Sequence, residues 1–474
     1  MPEPFVIVGG DAAGLSAASK LKREAPDRDV VVFEKGEWVS YAHCGMPYYV
    51  KGDVDSLTDL LSLSPADIEE RGIDLRRRHE VVGVDTAEKT VRVDGPDGTV
   101  EQPYGELLVA TGARAVSDPI GGADLRSTFT IHSMDAAASL RAFLEAPGDT
   151  DPSALDASVD RERLLAYADR TPPETAAIVG GGYVGVEMAE AFSAHDLDVH
   201  LFQRPERLLP PFGEAVGDAA EATLREHGVT LHLDTAVERL RGEERVEAVV
   251  TEQGTTPVDV AVLGVGVRPN AEIVDDTRIE RGDSGAIATD EYGETTVADV
   301  YAAGDCAEMT HAVTGEPDWV PLGLTANRAG RAIGWTVSGT PTPVGDIAGT
   351  AAVKAFDAEC ARTGIVSPEA ARDAGFDPVS ETVTAPSRSG YYPGGAETTV
   401  TLTADRESEQ LLGGSIVGAD RAAVRIDTLA TALDRGVTVP ELERLDLAYA
   451  PPFSPVWDPV LVAAKVLNGA LAEA

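Results

Sequence analysis

Cys44 stands in the segment SYAHCGMPYY, residues 40–49, among aromatic and small residues and close behind an apolar run that ends in FEK. A cysteine thiolate attacks disulfides and passes electrons, whereas a buried thiol is only a small hydrophobe; the surroundings decide which. The other two cysteines, Cys306 and Cys360, are far from Cys44 and from each other, without a CxxC pair or metal-ligand spacing. That pattern excludes a structural zinc site and a disulfide framework. Cys306, just after a Gly-Asp pair, and Cys360, in a stretch that reads as helical, are expected to be structural.

Two segments with one grammar frame this thiol. Each is an apolar strand-like run, a glycine cluster and a stretch rich in small residues that suits a helix, followed by a second strand: FVIVGGDAAGLSAASKLKRE with DVVVFEK, and AAIVGGGYVGVEMAEAF with DVHLFQR. They read as a duplicated βαβ unit that binds two nucleotides. In the second unit Gly180, Gly182 and Gly185 complete a GxGxxG directly after the strand and at the start of the helix. The first glycine permits the turn, the second lets a pyrophosphate approach the backbone, and the third lets helix pack on strand.

The first unit is less regular. Gly9 and Gly14 hold the outer positions, Gly10 adds local freedom, and Asp11 takes the central place. A carboxylate facing a pyrophosphate is unfavourable, so the Asp11 side chain is expected to point away. Glu34, at the end of the second strand and followed by Lys35, is the expected acceptor for a ribose hydroxyl. Gln203 occupies the matching place in the second unit, with Arg204 and Arg207 after it. A neutral residue beside arginine accommodates a 2'-phosphate, and the balance leans to NADPH over NADH. An exposed arginine pair without that role would look the same.

The chain of 474 residues is too long for one ordinary core. Asp, Pro and Ala crowd residues 146–175, which read as a surface insertion, and after about residue 340 short alternating strands take over. No long apolar run and no basic leader is present, so a soluble, cytoplasmic protein is expected. The net charge of -41, with lysine scarce, is spread along the chain and argues against nucleic acid as partner. Such a surface repels itself in dilute salt and is screened in concentrated salt, the expectation for a halophile's protein.

Together the motifs VIVGGDAAG, FEK, SYAHCGMPYY, LLVATGA, IVGGGYVGVE, GVGVRPN, VYAAGDCAE, YYPGG and LAYAPPFSPVWDP, in that order, resemble the flavin-dependent pyridine nucleotide-disulfide oxidoreductases. Within them the chain is similar to the single-cysteine group of coenzyme A-disulfide reductases and NADH oxidases. The resemblance implies an α/β architecture with two Rossmann-like domains and a C-terminal α+β dimerisation domain. FAD would be bound by residues 1–120 and 271–340, NAD(P)H by 121–270, and residues 341–474 would pair two copies in a homodimer. It also implies that Glu34 holds the adenosine ribose, Thr111 and Gly112 lie in the turn against FAD, and Asp305 binds the ribitol chain. Tyr183 would be the ring that covers the flavin until nicotinamide displaces it.

Larger relatives carry a CxxxxC pair and a late His-Glu dyad; here Cys44 has no partner cysteine and the last histidine is His311. A single redox cysteine implies a borrowed sulfur: a mixed disulfide between Cys44 and a small thiol is reduced, and the Cys44 thiolate then attacks an incoming disulfide. Flavin stacking and a helix N-terminus are expected to lower the Cys44 pKa. The resemblance supplies Tyr391 and Tyr449, reaching in from the other subunit, as proton donors to the leaving thiolate. It places coenzyme A against Ser16, Lys20, Arg23, Ser40 and His43. His43 departs from the family's usual asparagine, and Ser40-Tyr41 from its Ser-Phe, which leaves the substrate open. The competing readings are an NADH oxidase working through a sulfenic acid, disfavoured by the lack of a histidine in the DAAG loop, a polysulfide or sulfur reductase, and a flavin-binding redox sensor.

Overall fold

The computed structural model of the chain describes residues 3–149 and 158–473. The apolar runs FVIV, VVVFE and ELLV form strands Phe5–Val8, Val30–Glu34 and Glu106–Val109. They join Val300–Ala302 and Asp74–Arg77 in an all-parallel sheet ordered 300–302, 106–109, 5–8, 30–34, 74–77. Phe5–Val8 is buried along its whole length, as a strand covered on both faces must be. Helix Ala12–Glu24, the first nucleotide helix, packs on helix Gly323–Val337. A Cβ on Gly330 would lie 2.1 Å from the Ala13 carbonyl oxygen and one on Gly334 2.6 Å from that of Ala17, so the two helices meet backbone to backbone. Leu15, Leu21 and Ile333 are buried around that contact, each contributing roughly 1.5–3 kcal/mol.

The second sheet repeats the plan, also all parallel, in the order 230–232, 198–202, 175–179, 260–263, 128–129. Its glycine cluster opens the second nucleotide helix, Tyr183–Ala194. The duplication read from the sequence is thus realised strand for strand at its core. The segment read as a surface insertion holds a helix, Arg161–Ala168, capped by Asp160 and seated on helix Met134–Leu144. Leu164, Tyr167 and Ala168 form an apolar stripe at helical spacing, hidden in the sequence among Asp and Pro. Residues 150–157 of that segment lie outside the described residues.

The C-terminal part is an antiparallel sheet ordered 351–355, 358–364, 411–418, 397–405, 378–386, with helices Ile426–Asp434 and Pro459–Glu473 against it. Cys360 sits in strand Ala358–Gly364, not in a helix as its small neighbours had implied. Pairing on both sides, to Ala351–Ala355 and Leu411–Gly418, overrides the weak local propensity. Among the described residues no helix is long and apolar enough to cross a membrane.

Candidate active site

The segment carrying Cys44 is pinned to the first glycine loop. Ser40 adopts a left-handed backbone, φ 53°, and its N–H donates to the Gly10 carbonyl at 3.1 Å, while its own carbonyl accepts from Ser62 N at 2.7 Å. A buried non-glycine residue in that conformation is strained and is held there by its surroundings. Tyr41 N donates to Asp11 Oδ1 at 3.1 Å, and Asp11 Oδ2 meets His43 Nε2. The Asp11 carboxylate is therefore turned into the cysteine segment, as its unfavourable position opposite a pyrophosphate required. The His43 ring stacks on Tyr41 with centroids 4.2 Å apart, and the His132 ring is tilted against it at 5.7 Å.

His43–Gly45 form a tight turn that feeds the short cysteine helix, Met46–Lys51, with Pro47 in its first turn. A Cβ on Gly45 would fall 2.3 Å from Leu60 Cδ2, so a larger residue there requires the Leu60 side chain to shift. Gly52, φ 98°, ends the helix with its N–H on the Tyr48 and Tyr49 carbonyls. Cys44 is the exposed cysteine; Cys306 and Cys360 are buried, Cys306 against the carbonyls of Val109 and Ala303. The protein's own groups push the Cys44 thiol up, first by burial and then through the carboxylates Glu187 and Asp305. Of the two influences expected to lower it, flavin stacking and a helix N-terminus, the helix end is thus overruled. The helix begins two residues later, is only one and a half turns long, and two acids outweigh it.

The nucleotide loops have the shape their glycines promise. A Cβ would strike a carbonyl oxygen at 2.1 Å on Gly9, 2.0 Å on Gly14, 2.2 Å on Gly180 and 1.8 Å on Gly185. Gly182 and Gly112 instead look onto open space, room for a phosphate or ring to approach the backbone. Glu34 accepts from Gly10 N at 2.9 Å and Gly36 N at 2.7 Å, and burial pushes its carboxyl up. Gln203 repeats the first of these bonds at 2.9 Å from Gly181 N, a symmetry of the two halves down to one side chain. Lys35 is exposed beside Glu34. Thr111 Oγ1 donates to the Asn270 carbonyl and Asn270 N donates to Gly112 O at 2.9 Å, tying the turn to the chain's return. Burial pushes Asp305 up, its carbonyl accepts from Trp319 Nε1 at 2.9 Å, and the charge of His43 pulls against the shift. The residues present fit two dinucleotides.

Other expected site residues are placed less simply. Tyr183 opens its helix with its ring edge-on to Phe212 at 5.4 Å. Arg204 is exposed and makes no ion pair among the described residues, whereas Arg207 is taken by Asp218 and Glu214. Ser16 Oγ donates to Asn327 Oδ1 at 2.7 Å and Arg23 is exposed. Lys20 is buried, paired with Glu24 and 3.9 Å above the Trp335 ring, so it is not a free cation waiting for a phosphate. Tyr391 and Tyr449 are 81% and 58% exposed and have no bond to the cysteine segment of their own chain. Phe453, Val456 and Trp457, close to Tyr449 in sequence, are exposed as well.

Three contributions were not visible in the sequence. Arg425 donates from Nη2 to the carbonyls of Ser387 (2.8 Å) and Phe453 (3.2 Å) and from Nε to Asp458 (2.9 Å), fixing the two loops that present the tyrosines. Glu190, buried where three sheets' elements meet, accepts from Lys51 (2.9 Å), Lys354 (3.3 Å) and Phe356 N (2.9 Å). Glu187 accepts from the Tyr48 hydroxyl at 3.0 Å. No spacing rule ties residues 139 apart; only the packing of the cysteine helix on the second nucleotide helix does.

Residues 3–323 match the family model of the pyridine nucleotide-disulphide oxidoreductases, and residues 350–459 match that family's dimerisation domain. The chain belongs to this family. It is therefore an oxidoreductase of the kind that works with FAD and NAD(P)H. It is 40% identical over 471 residues, 99% of each chain, to the NAD(P)H coenzyme A polysulfide/persulfide reductase of Pyrococcus horikoshii. It is 27% identical to the coenzyme A disulfide reductase of Staphylococcus haemolyticus, over 95% of this chain and 96% of the other. Its fold superimposes on the NAD-dependent persulfide reductase from A. fulgidus with a TM-score of 0.91 at 32% identity, covering 99% of this chain and 84% of that one.

Proposed function

We propose that the chain reduces coenzyme A disulfide, or a similar low-molecular-weight disulfide, with NAD(P)H through Cys44 alone. The observation that carries this reading is the single exposed thiol on a strained segment bonded to the first glycine loop, with both other cysteines buried. FAD, when bound by residues 1–120 and 271–340, supplies the path by which an electron pair from NAD(P)H, bound by 121–270, reaches sulfur. The protein does the rest. The Cys44 thiolate attacks one sulfur of R–S–S–R, the S–S bond breaks, R–S⁻ leaves, and the resulting mixed disulfide is then split by two electrons. The sum is NAD(P)H + R–S–S–R + H⁺ → NAD(P)⁺ + 2 R–SH.

In this reading Ser16, Arg23, Ser40 and His43 hold coenzyme A, and Lys20 joins them only by leaving Glu24 and Trp335. Residues 341–474 pair two copies, bringing Tyr391 and Tyr449 of one to the thiol of the other as proton donors, which accounts for their exposure here. The protein works in the cytoplasm. A second reading, reduction of coenzyme A persulfide or polysulfide by the same thiol, is favoured by the 40% identity to the Pyrococcus horikoshii enzyme.

Steady-state turnover with NADPH and NADH against coenzyme A disulfide, polysulfide and dioxygen separates these. Cys44→Ser is expected to lose at least ~10³-fold in disulfide turnover, the scale of losing a covalent nucleophile, while still oxidising NAD(P)H with an artificial one-step acceptor. Full disulfide turnover by the serine variant overturns the reading; dioxygen as best acceptor makes the protein an oxidase.

A further inference from the structure

In a GxGxxG loop the central position is the one at which a pyrophosphate approaches the backbone, and in the first loop of this chain it carries Asp11. Two bonds turn that carboxylate aside: Oδ1 accepts from Tyr41 N at 3.1 Å, and Oδ2 accepts from His43 Nε2. Asp11 is also the N-cap of helix Ala12–Glu24, yet its side chain makes no cap bond to that helix. An aspartate at an N-cap ordinarily folds over the N–H groups of the first turn. Those are the groups that a helix offers to the phosphates of a dinucleotide. The cysteine segment holds Asp11 off them. The imidazole that does so is itself fixed, stacked on Tyr41 at 4.2 Å with the His132 ring tilted against it at 5.7 Å. His132 in turn donates from Nε2 to the Ala113 carbonyl at 2.8 Å, next to the Thr111–Gly112 turn. Asp11 and His43 are both partly exposed, 27% and 40% by side chain, so their bond can open without opening the core.

We propose that His43 is a positioning residue for the flavin cofactor: it clasps Asp11 away from the amino end of helix Ala12–Glu24 and so keeps the phosphate cradle of the first glycine loop open. This role rests on FAD binding at that loop, as read above, and is the same for any electron acceptor. When His43 lets go, the carboxylate is free to cap its own helix. It then fills the anion site and sets a like charge against the diphosphate. The bond from Tyr41 N is the one restraint left against that rotation. His43 and Cys44 are consecutive residues of one tight turn, so the clasp also fastens the redox thiol's segment to the cofactor loop.

The test is the rate at which diluted holoenzyme gives up FAD, read from the rise in flavin fluorescence. His43→Ala is expected to release FAD roughly tenfold faster than the native protein, or more, the scale of one like charge brought close to a phosphate. The excess narrows between 0.1 and 2 M KCl, because salt screens that charge. Asp11→Gly, which completes the GxGxxG, releases no faster than the native protein, and the double variant His43→Ala with Asp11→Gly returns to the native rate. Packing lost at position 43 is not cured by removing Asp11, so rapid release by the double variant overturns the proposal. Native release by His43→Ala overturns it too, since the backbone alone would then be aiming Asp11. Should His43→Ala fail to fold, His43→Asn, with the residue usual at this place in similar chains, is read against its own double variant. Native release in these variants with turnover lost in Cys44→Ser sinks the clasp alone; turnover surviving in Cys44→Ser sinks the functional reading instead.

Discussion

Glu187, pushed up by burial, makes the fold's stability depend on pH in a way one substitution isolates. Its carboxyl ionises at about 7 in the folded chain against 4.5 ordinarily, a rise of 2.5 pH units by subtraction. At 1.36 kcal/mol per unit, the folded state binds that proton by roughly 3 kcal/mol more tightly than the unfolded chain does. For an acid whose folded pKa is raised, the native state holds the extra proton between the two values. The contribution is therefore fully present below about pH 4.5, fades as pH climbs toward 7, and is gone above it. Glu187→Gln has no such dependence. The unfolding free energy of the native protein minus that of the variant should fall by about 2.5 kcal/mol between pH 5 and pH 8. Urea unfolding of the holoenzyme reads this, at one protein concentration because dimers obey mass action, and at constant ionic strength because the chain is so acidic. A difference constant to within about 0.5 kcal/mol over that range would refute the reasoning, since it would mean that the carboxyl titrates as it does in water.

Two further outcomes follow from the placement of charge. Arg204→Ala should raise KM for NADPH by about tenfold, the scale of one charge-assisted bond to phosphate, and leave KM for NADH unchanged. Equal effects on both cofactors would assign the arginine no part in choosing between them. With a net charge of -41, raising KCl from 0.1 to 2 M should raise the thermal midpoint by ~10 °C or more; a flat response would remove the salt-adapted reading of the surface.

The nucleotide-binding halves could be read from the chain because each rests on local signals. Continuous apolar strands, glycines at fixed offsets and a polar residue at the end of the second strand all lie within one βαβ unit. Asp11 was foreseen to turn away from the phosphates, though not that it would bind Tyr41 and His43. Lys20, expected against coenzyme A, lies over Trp335, a residue that only helix packing brings near. Cys44 was expected to be acidic from flavin stacking and a helix end, while burial and the carboxylates of residues 187 and 305 act against the helix end. Electrostatics of that kind depends on tertiary neighbours, which periodicity does not encode.

The glycine contact between helices Ala12–Glu24 and Gly323–Val337 bears on how the polypeptide leaves the ribosome. The first sheet gains its edge strand at residues 300–302 and the cover over its first helix only with Gly330 and Gly334. A nascent chain of some 270 residues can already close the inserted second sheet, all of whose strands lie between 128 and 263. The amino-terminal sheet must wait, half dressed, until that inserted unit has been made and has brought its two ends together.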